Sequence, residues 1–194
     1  VTGLDFSANA IDAANELAVR VGLSEQATFV CSNVYDAVSA LEHQTFDIVY
    51  VSLGSIGWLP EIEPWAEVVG TLIKPGGMLY LHDVHPFGMS FDDDGESVVY
   101  GYFEDRDHPY FDDDNSTYTD GGTLTNALTY NWNHASSEII AALAKNGLSL
   151  THFDEQDWTV FQQFPWLERH GEMYLIPQGR PRIPLMFTLC ARKN

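Results

Sequence analysis

The 194-residue sequence predicts an α/β fold on a mostly parallel sheet, and two features carry that prediction. Residues 1–85 alternate short apolar runs with helix-spaced ones, the pattern of strand–helix–strand crossovers. Residues 46–52, Phe-Asp-Ile-Val-Tyr-Val-Ser, form a near-continuous apolar run of the kind buried on both faces of a parallel sheet.

Each element follows in order. Val1 to Asp5 is a short strand ending on an acid. Asn9 to Val21 has apolar residues at Ile11, Ala14, Leu17, Ala18 and Val21, which is helical spacing, with Gly22 placed to end the helix. A strand over 27–32 and a short helix over 36–43 precede the strand at 46–52. A helix over 62–73 is stopped by Pro75-Gly76-Gly77, and a strand over 78–82 comes next. Order returns at 128–132, then a helix over 137–145 closed by Asn146-Gly147, a strand over 148–153 and a final strand over 183–191, expected antiparallel. Between them, residues 91–120 are rich in acids, aromatics and turn formers. The wider span 86–127 is expected to form an acidic lid-like insertion in one domain of residues 1–194, since a connection of this length is more often functional than merely linking.

Composition limits the function. Apolar residues are 45% of the chain, enough for one sizeable core. Nine Lys and Arg stand against 28 acids, giving a formal charge of -19. Such a surface repels phosphate backbones and anionic membranes, so nucleic acid is not expected as a direct partner. Cys31 and Cys190 lie in apolar runs and read as buried free thiols, which favours a reducing cytoplasm. There is no run of about 18 apolar residues to span a membrane, and no signal-peptide pattern. The sequence opens on Val1, within a strand-like run, as if inside a longer protein.

Asp5 stands at the end of a strand and before a helix, where a carboxylate can accept both hydroxyls of a ribose. An N-cap or a solvated acid is the plainer alternative. Asn33-Val34-Tyr35-Asp36 follows the next strand; a side-chain oxygen there can accept from an adenine amino group while a backbone N–H serves a ring nitrogen. Asp36 could equally cap the short helix. Phe46-Asp47 to Ser52-Leu53-Gly54-Ser55, then Lys74-Pro75-Gly76-Gly77 and Leu79-Tyr80-Leu81, complete the set.

Together these segments resemble the second to fifth strands of class I S-adenosylmethionine-dependent methyltransferases, over about 80 residues. The resemblance implies a Rossmann-like, doubly wound sheet with an antiparallel last strand, S-adenosylmethionine as cofactor, and methyl transfer to a small-molecule acceptor. It places Asp5 on ribose, Phe6 on adenine, Asn33 and Val34 around the base, and Ser52 and Leu53 beside the cofactor's methionine end. Two departures stand out. The family's usual Asp is Asn33 here, and its acid-x-Gly-x-Gly-x-Gly loop after a first strand is not in this sequence. A sheet lacking that strand is expected to leave a gap that drives pairing with another chain, such as a homodimer.

Methyl transfer needs a base only if the acceptor must lose a proton. His85 and His134 are the candidates for that role, with His82, Asp83 and Asn133 nearby, because imidazole titrates near neutral pH. Packed or capping histidines are the structural alternative. Trp58, Tyr100, Tyr102, Phe103, Tyr110 and Trp132 are candidates to wall an acceptor pocket or to meet a sulfonium by cation–π attraction. Asp92-Asp93-Asp94 and Asp112-Asp113-Asp114 lack the spacing of a calcium loop and read as solvated turns. A catalytically inert relative and a nicotinamide-dependent oxidoreductase are the rival readings.

Overall fold

The structure, a computed structural model, describes residues 1–112 and 128–194. Its elements are β1 (Thr2–Asp5), α1 (Ala8–Arg20), β2 (Thr28–Cys31), α2 (Ala37–Ala40), β3 (Phe46–Val51), α3 (Ile62–Leu72) and β4 (Ile73–Val84), then β5 (Tyr110–Asp112), β6 (Thr129–Asn131), α4 (Ser136–Lys145) and β7 (Leu148–Gln156). The small strands β8 (Trp158–Thr159), β9 (Glu168–His170) and β10 (Met173–Leu175) precede the last strand, β11 (Met186–Lys193). The part of the expected insertion at 113–127, with Asp113 and Asp114, lies outside the described residues.

The α/β fold is as the sequence predicts. β1 pairs parallel with β2, and β3 parallel with β4. β11 runs antiparallel between β4 and β7 in a four-stranded sheet ordered β3-β4-β11-β7. Among the described residues β1 and β2 form a separate pair. No ladder joins β1 to β3.

Local chemistry sets the element ends. Ser7 caps α1 by accepting from the Ala10 N–H, and Gly22, at φ +72°, terminates it by entering the left-handed region that glycine tolerates. α3 has no side-chain cap of its own; its first amide, Ile62 N, donates to the Glu104 carboxylate at 2.8 Å. Glu138 reaches back to the Ala135 N–H at the start of α4, which satisfies another unpaired helix-end donor. Gly70 lets α3 approach the end of α4 closely, since a Cβ there would meet the Asn146 carbonyl at 2.9 Å.

The main core joins Trp65, Ala66 and Val69 of α3 to Ile139 and Leu143 of α4 over Leu79, Leu81, Phe187 and Leu189 of the sheet. A second cluster holds Leu4 and Val30 of the β1–β2 pair against Leu41, Val68 and Leu72. A third packs Phe164, Leu167 and Leu185 near the small sheet β8-β10-β9.

Two expectations are corrected. β3 is not buried on both faces: Ile48 is 60% exposed and Tyr50 66%. Side chains alternate along a strand, and Val49 and Val51 take the core face beneath α3 and α4. No described element covers the other face. The cysteines are free, but Cys31 is exposed and Cys190 half-buried. Cys31 ends the outer strand of a two-stranded pair, where little packs on it. No described helix is long and apolar enough to cross a membrane.

Candidate functional site

The tips of β1, β2, β3 and β4 gather the predicted site residues, in two differently built regions. At the tip of β1, Asp5 is exposed and turns one oxygen back to accept from the Ser7 N–H at 2.7 Å. The cap of α1 is therefore Ser7, and Asp5 braces the turn before it. Its second oxygen makes no hydrogen bond among the described residues. Phe6 beside it is 75% exposed. At the tip of β2, the Asn33 Oδ1 accepts from the Tyr35 N–H at 3.0 Å and so caps the one-turn helix at 34–36. Asp36 makes no side-chain cap. Val34 is half-buried against the main core, and the Tyr35 hydroxyl donates to the Glu61 carbonyl at 2.8 Å.

These residues fit the nucleoside half of S-adenosylmethionine. They offer a carboxylate with an unbonded oxygen for ribose, an open aromatic face for the base, and strand-tip backbone between them. The turn after β3 is where the resemblance expects the methionine half. The hydroxyls of Ser52 and Ser55 lie 3.0 Å apart, and Gly54, at φ +77°, has open space where a side chain would stand.

Asp83, at the end of β4, sets the shape of that turn. One carboxylate oxygen accepts from the N–H groups of Gly54 and Val84, each at 2.7 Å, and the other from Ile56 N at 3.1 Å. Burial pushes the Asp83 carboxyl up from the usual carboxylate range, while the backbone N–H donors pull it back. A buried carboxylate held by backbone donors is a clamp, and its sites for a further partner are few.

Beside the turn lies a cavity of about 510 Å³, within the range typical of small-molecule sites. Leu53, Gly54, Ile56 and Gly57 form one wall. Trp58, Met89, Ile139, Val160, Phe161 and Phe187 supply most of the apolar surface. Asp83, Asn131, Trp132, Asn133 and His134 also line it, and no Lys or Arg does.

His134 is buried in this wall, with both ring nitrogens bonded. Nδ1 lies 2.7 Å from a Glu104 oxygen and Nε2 2.7 Å from the Leu59 carbonyl. Glu104 thus ties the start of α4 to the first amide of α3, because the same oxygen accepts from Ile62 N. Asn133 joins the insertion to this point, its amide N–H₂ lying within hydrogen-bonding reach of Pro86 O, Ser90 Oγ and Gly101 O.

His85 is buried but does not line the cavity, although its neighbours Val84 and Pro86 do. Its Nδ1 accepts from the Phe87 N–H at 3.1 Å, so Nε2 carries the proton and donates to Glu155 at 2.8 Å. Burial lowers its pKa below that of free imidazole, against the opposing pull of Glu155. His82 pairs with the Thr188 hydroxyl at 2.9 Å.

Of the six aromatics expected to wall a pocket, Trp58 and Trp132 line the cavity. Tyr100 packs on Tyr110, and Tyr102 on Phe103. Sequence reasoning missed Glu104, Met89, Val160, Phe161 and Phe187. Glu104 is one acid among many in an acid-rich stretch, and the others come from segments far apart in sequence. No local pattern marks them. Asp92 closes its own turn by accepting from the Glu96 and Ser97 N–H groups.

Residues 1–81 match the family model described as a methyltransferase domain. No curated protein matches the chain. Among solved structures, the fold is shared with an S-adenosylmethionine-dependent methyltransferase from Methanosarcina mazei, 20% identical with a TM-score of 0.61, covering all of this chain and 81% of that one. A second, from Clostridium acetobutylicum, is 10% identical with a TM-score of 0.64, covering all of this chain and 74% of the other. The CcbJ methyltransferase from Streptomyces caelestis is 13% identical with a TM-score of 0.63, at the same two coverages of 100% and 74%.

Proposed function

We propose that this chain, whose residues 1–81 match a methyltransferase domain and whose fold is shared with S-adenosylmethionine-dependent methyltransferases, is such an enzyme and delivers the methyl group to a small-molecule acceptor held in the cavity beside Leu53 and Gly54. The observation that carries this reading is the double position of that turn. It follows β3, where the family meets the methionine end of the cofactor, and it also forms a wall of the cavity. An acceptor in the cavity would therefore lie beside the turn that would border the cofactor's methionine end.

When bound, S-adenosylmethionine supplies a methyl group on a positively charged sulfur, which departs with its bonding electrons as a neutral thioether. The chain's own residues prepare that displacement. Asp5 would hold the ribose hydroxyls, Phe6 would pack on the base, and Asn33 and Val34 would frame it. Ser52 and Leu53 border the methionine end, and Asp83 keeps their turn in one shape through its three backbone contacts. The apolar walls exclude water and hold the acceptor in line, the main requirement of such a step.

His85 and His134 enter as positioning residues, because every ring nitrogen is already bonded. His134 fixes Leu59 and Glu104 at the cavity wall. His85 fixes the chain where it leaves β4.

Calorimetric titration with S-adenosylhomocysteine tests the reading, with NAD as control. Saturable heat from S-adenosylhomocysteine and none from NAD is expected. No heat from S-adenosylhomocysteine would remove the proposal.

A further inference from the structure

Polar side chains in a mostly apolar cavity select its ligand, provided the protein itself does not already occupy them. In the 510 Å³ cavity most are occupied. Asp83 accepts from three backbone N–H groups, His134 is bonded at both nitrogens, and Trp132 donates its indole N–H to Arg106 O at 3.1 Å. Asn133 commits its amide N–H₂, leaving only its carbonyl oxygen without a hydrogen bond.

Asn131 differs. It is half-buried on β6, and its one side-chain hydrogen bond is a 3.5 Å contact from Nδ2 to the Thr129 hydroxyl, at the outer limit of such bonds. Its Oδ1 is unbonded among the described residues and lies 4.0 Å from where a Gly57 side chain would begin. Gly57 lines the same cavity and leaves that approach clear. Charge narrows the choice further. Among the described residues no Lys or Arg lines the cavity, His134 is held by Glu104 and the Leu59 carbonyl, and the Asp83 carboxylate is already bonded. A charged ligand would lose its hydration there without meeting an opposite charge that is free to pair with it.

We propose that the cavity selects an uncharged, largely apolar acceptor whose hydroxyl or amine hydrogen is received by the Asn131 carbonyl oxygen. Trp58 and Phe161 supply flat apolar surface for its body. This deepens the methyl-transfer reading and rests on it for the word acceptor, but the selectivity itself is a property of the empty cavity. It is measured without cofactor.

The test is ligand-observed NMR titration of the protein with 2-naphthol, naphthalene, 2-naphthoate and 2-naphthylmethylammonium. 2-Naphthol is expected to bind about tenfold more tightly than naphthalene, the worth of one enclosed hydrogen bond, and both ions at least tenfold more weakly than 2-naphthol. Asn131→Leu should bring 2-naphthol down to the level of naphthalene and leave naphthalene unchanged. Gly57→Ala, which adds a methyl beside Oδ1, should weaken 2-naphthol more than naphthalene and serves if the first variant does not fold. The proposal is overturned if either ion matches 2-naphthol, if no probe binds, or if the variants weaken naphthol and naphthalene equally. Retained naphthol selectivity without S-adenosylhomocysteine binding would instead sink methyl transfer and leave the cavity assignment standing.

Discussion

The proposed nucleoside side lies at the tips of β1 and β2, and the cavity beside the ends of β3 and β4. No ladder joins these two strand pairs among the described residues, and the two regions are built in opposite ways. Around Asp5 and Phe6 the groups are exposed and only partly bonded. Around Asp83, Glu104 and His134 they are buried or half-buried, and almost every polar atom has a protein partner. The first arrangement leaves donors and acceptors to the ligand. The second uses most of them to shape a cavity and leaves few to meet a ligand, the Asn131 carbonyl oxygen first among them in the proposal above. Substitutions on the two sides should therefore fail differently, one in binding and the other in stability.

The largest effect is expected at Glu104. Glu104→Ala strands two buried donors, Ile62 N and His134 Nδ1, and should cost about 3 kcal/mol in denaturant unfolding. A loss under about 0.5 kcal/mol would show that the carboxylate is not the tie between the helices. Asp83→Asn comes next, at about 2 kcal/mol, because an amide N–H₂ must face backbone N–H donors that now meet a carboxylate. Naphthol binding should weaken with it, as the turn at 52–56 loosens.

Asp5→Ala belongs to the other side. S-adenosylhomocysteine affinity should fall on the order of tenfold by calorimetry, through loss of charge-assisted bonds to ribose, with the melting temperature unchanged. A fall in melting temperature instead would make Asp5 a brace of its turn and not a ligand group.

The smallest effect is in pH. His85 is held neutral by burial, so its folded pKa lies below its unfolded value near 6.5. As pH falls through 6.5 the unfolded chain takes up the proton first, and stability declines until the folded pKa is reached. His85→Gln should flatten that part of the stability–pH curve. An unchanged slope would mean that another group titrates there.

The sequence made the parallel strands, the order of the helices and the strand-tip positions of Asp5, Asn33 and Ser52 legible, because each rests on local periodicity and on turn chemistry. It misled at Ile48 and Tyr50, where an apolar run says nothing about which neighbour is present to cover it. It also named His85 and His134 by residue type alone. Whether an imidazole is free depends on partners such as Glu104, Leu59, Phe87 and Glu155, none adjacent to it by strong local signal. The cavity was the least legible feature, since its walls come from five separate stretches of chain.

The most direct test of the two-sided site is the crystal structure of the protein with S-adenosylhomocysteine. The ribose hydroxyls are expected on the Asp5 carboxylate, the base against Phe6 and Val34, and the sulfur at the cavity mouth beside Leu53 and Gly54. A nucleoside seated inside the cavity, or a ribose away from Asp5, would contradict it.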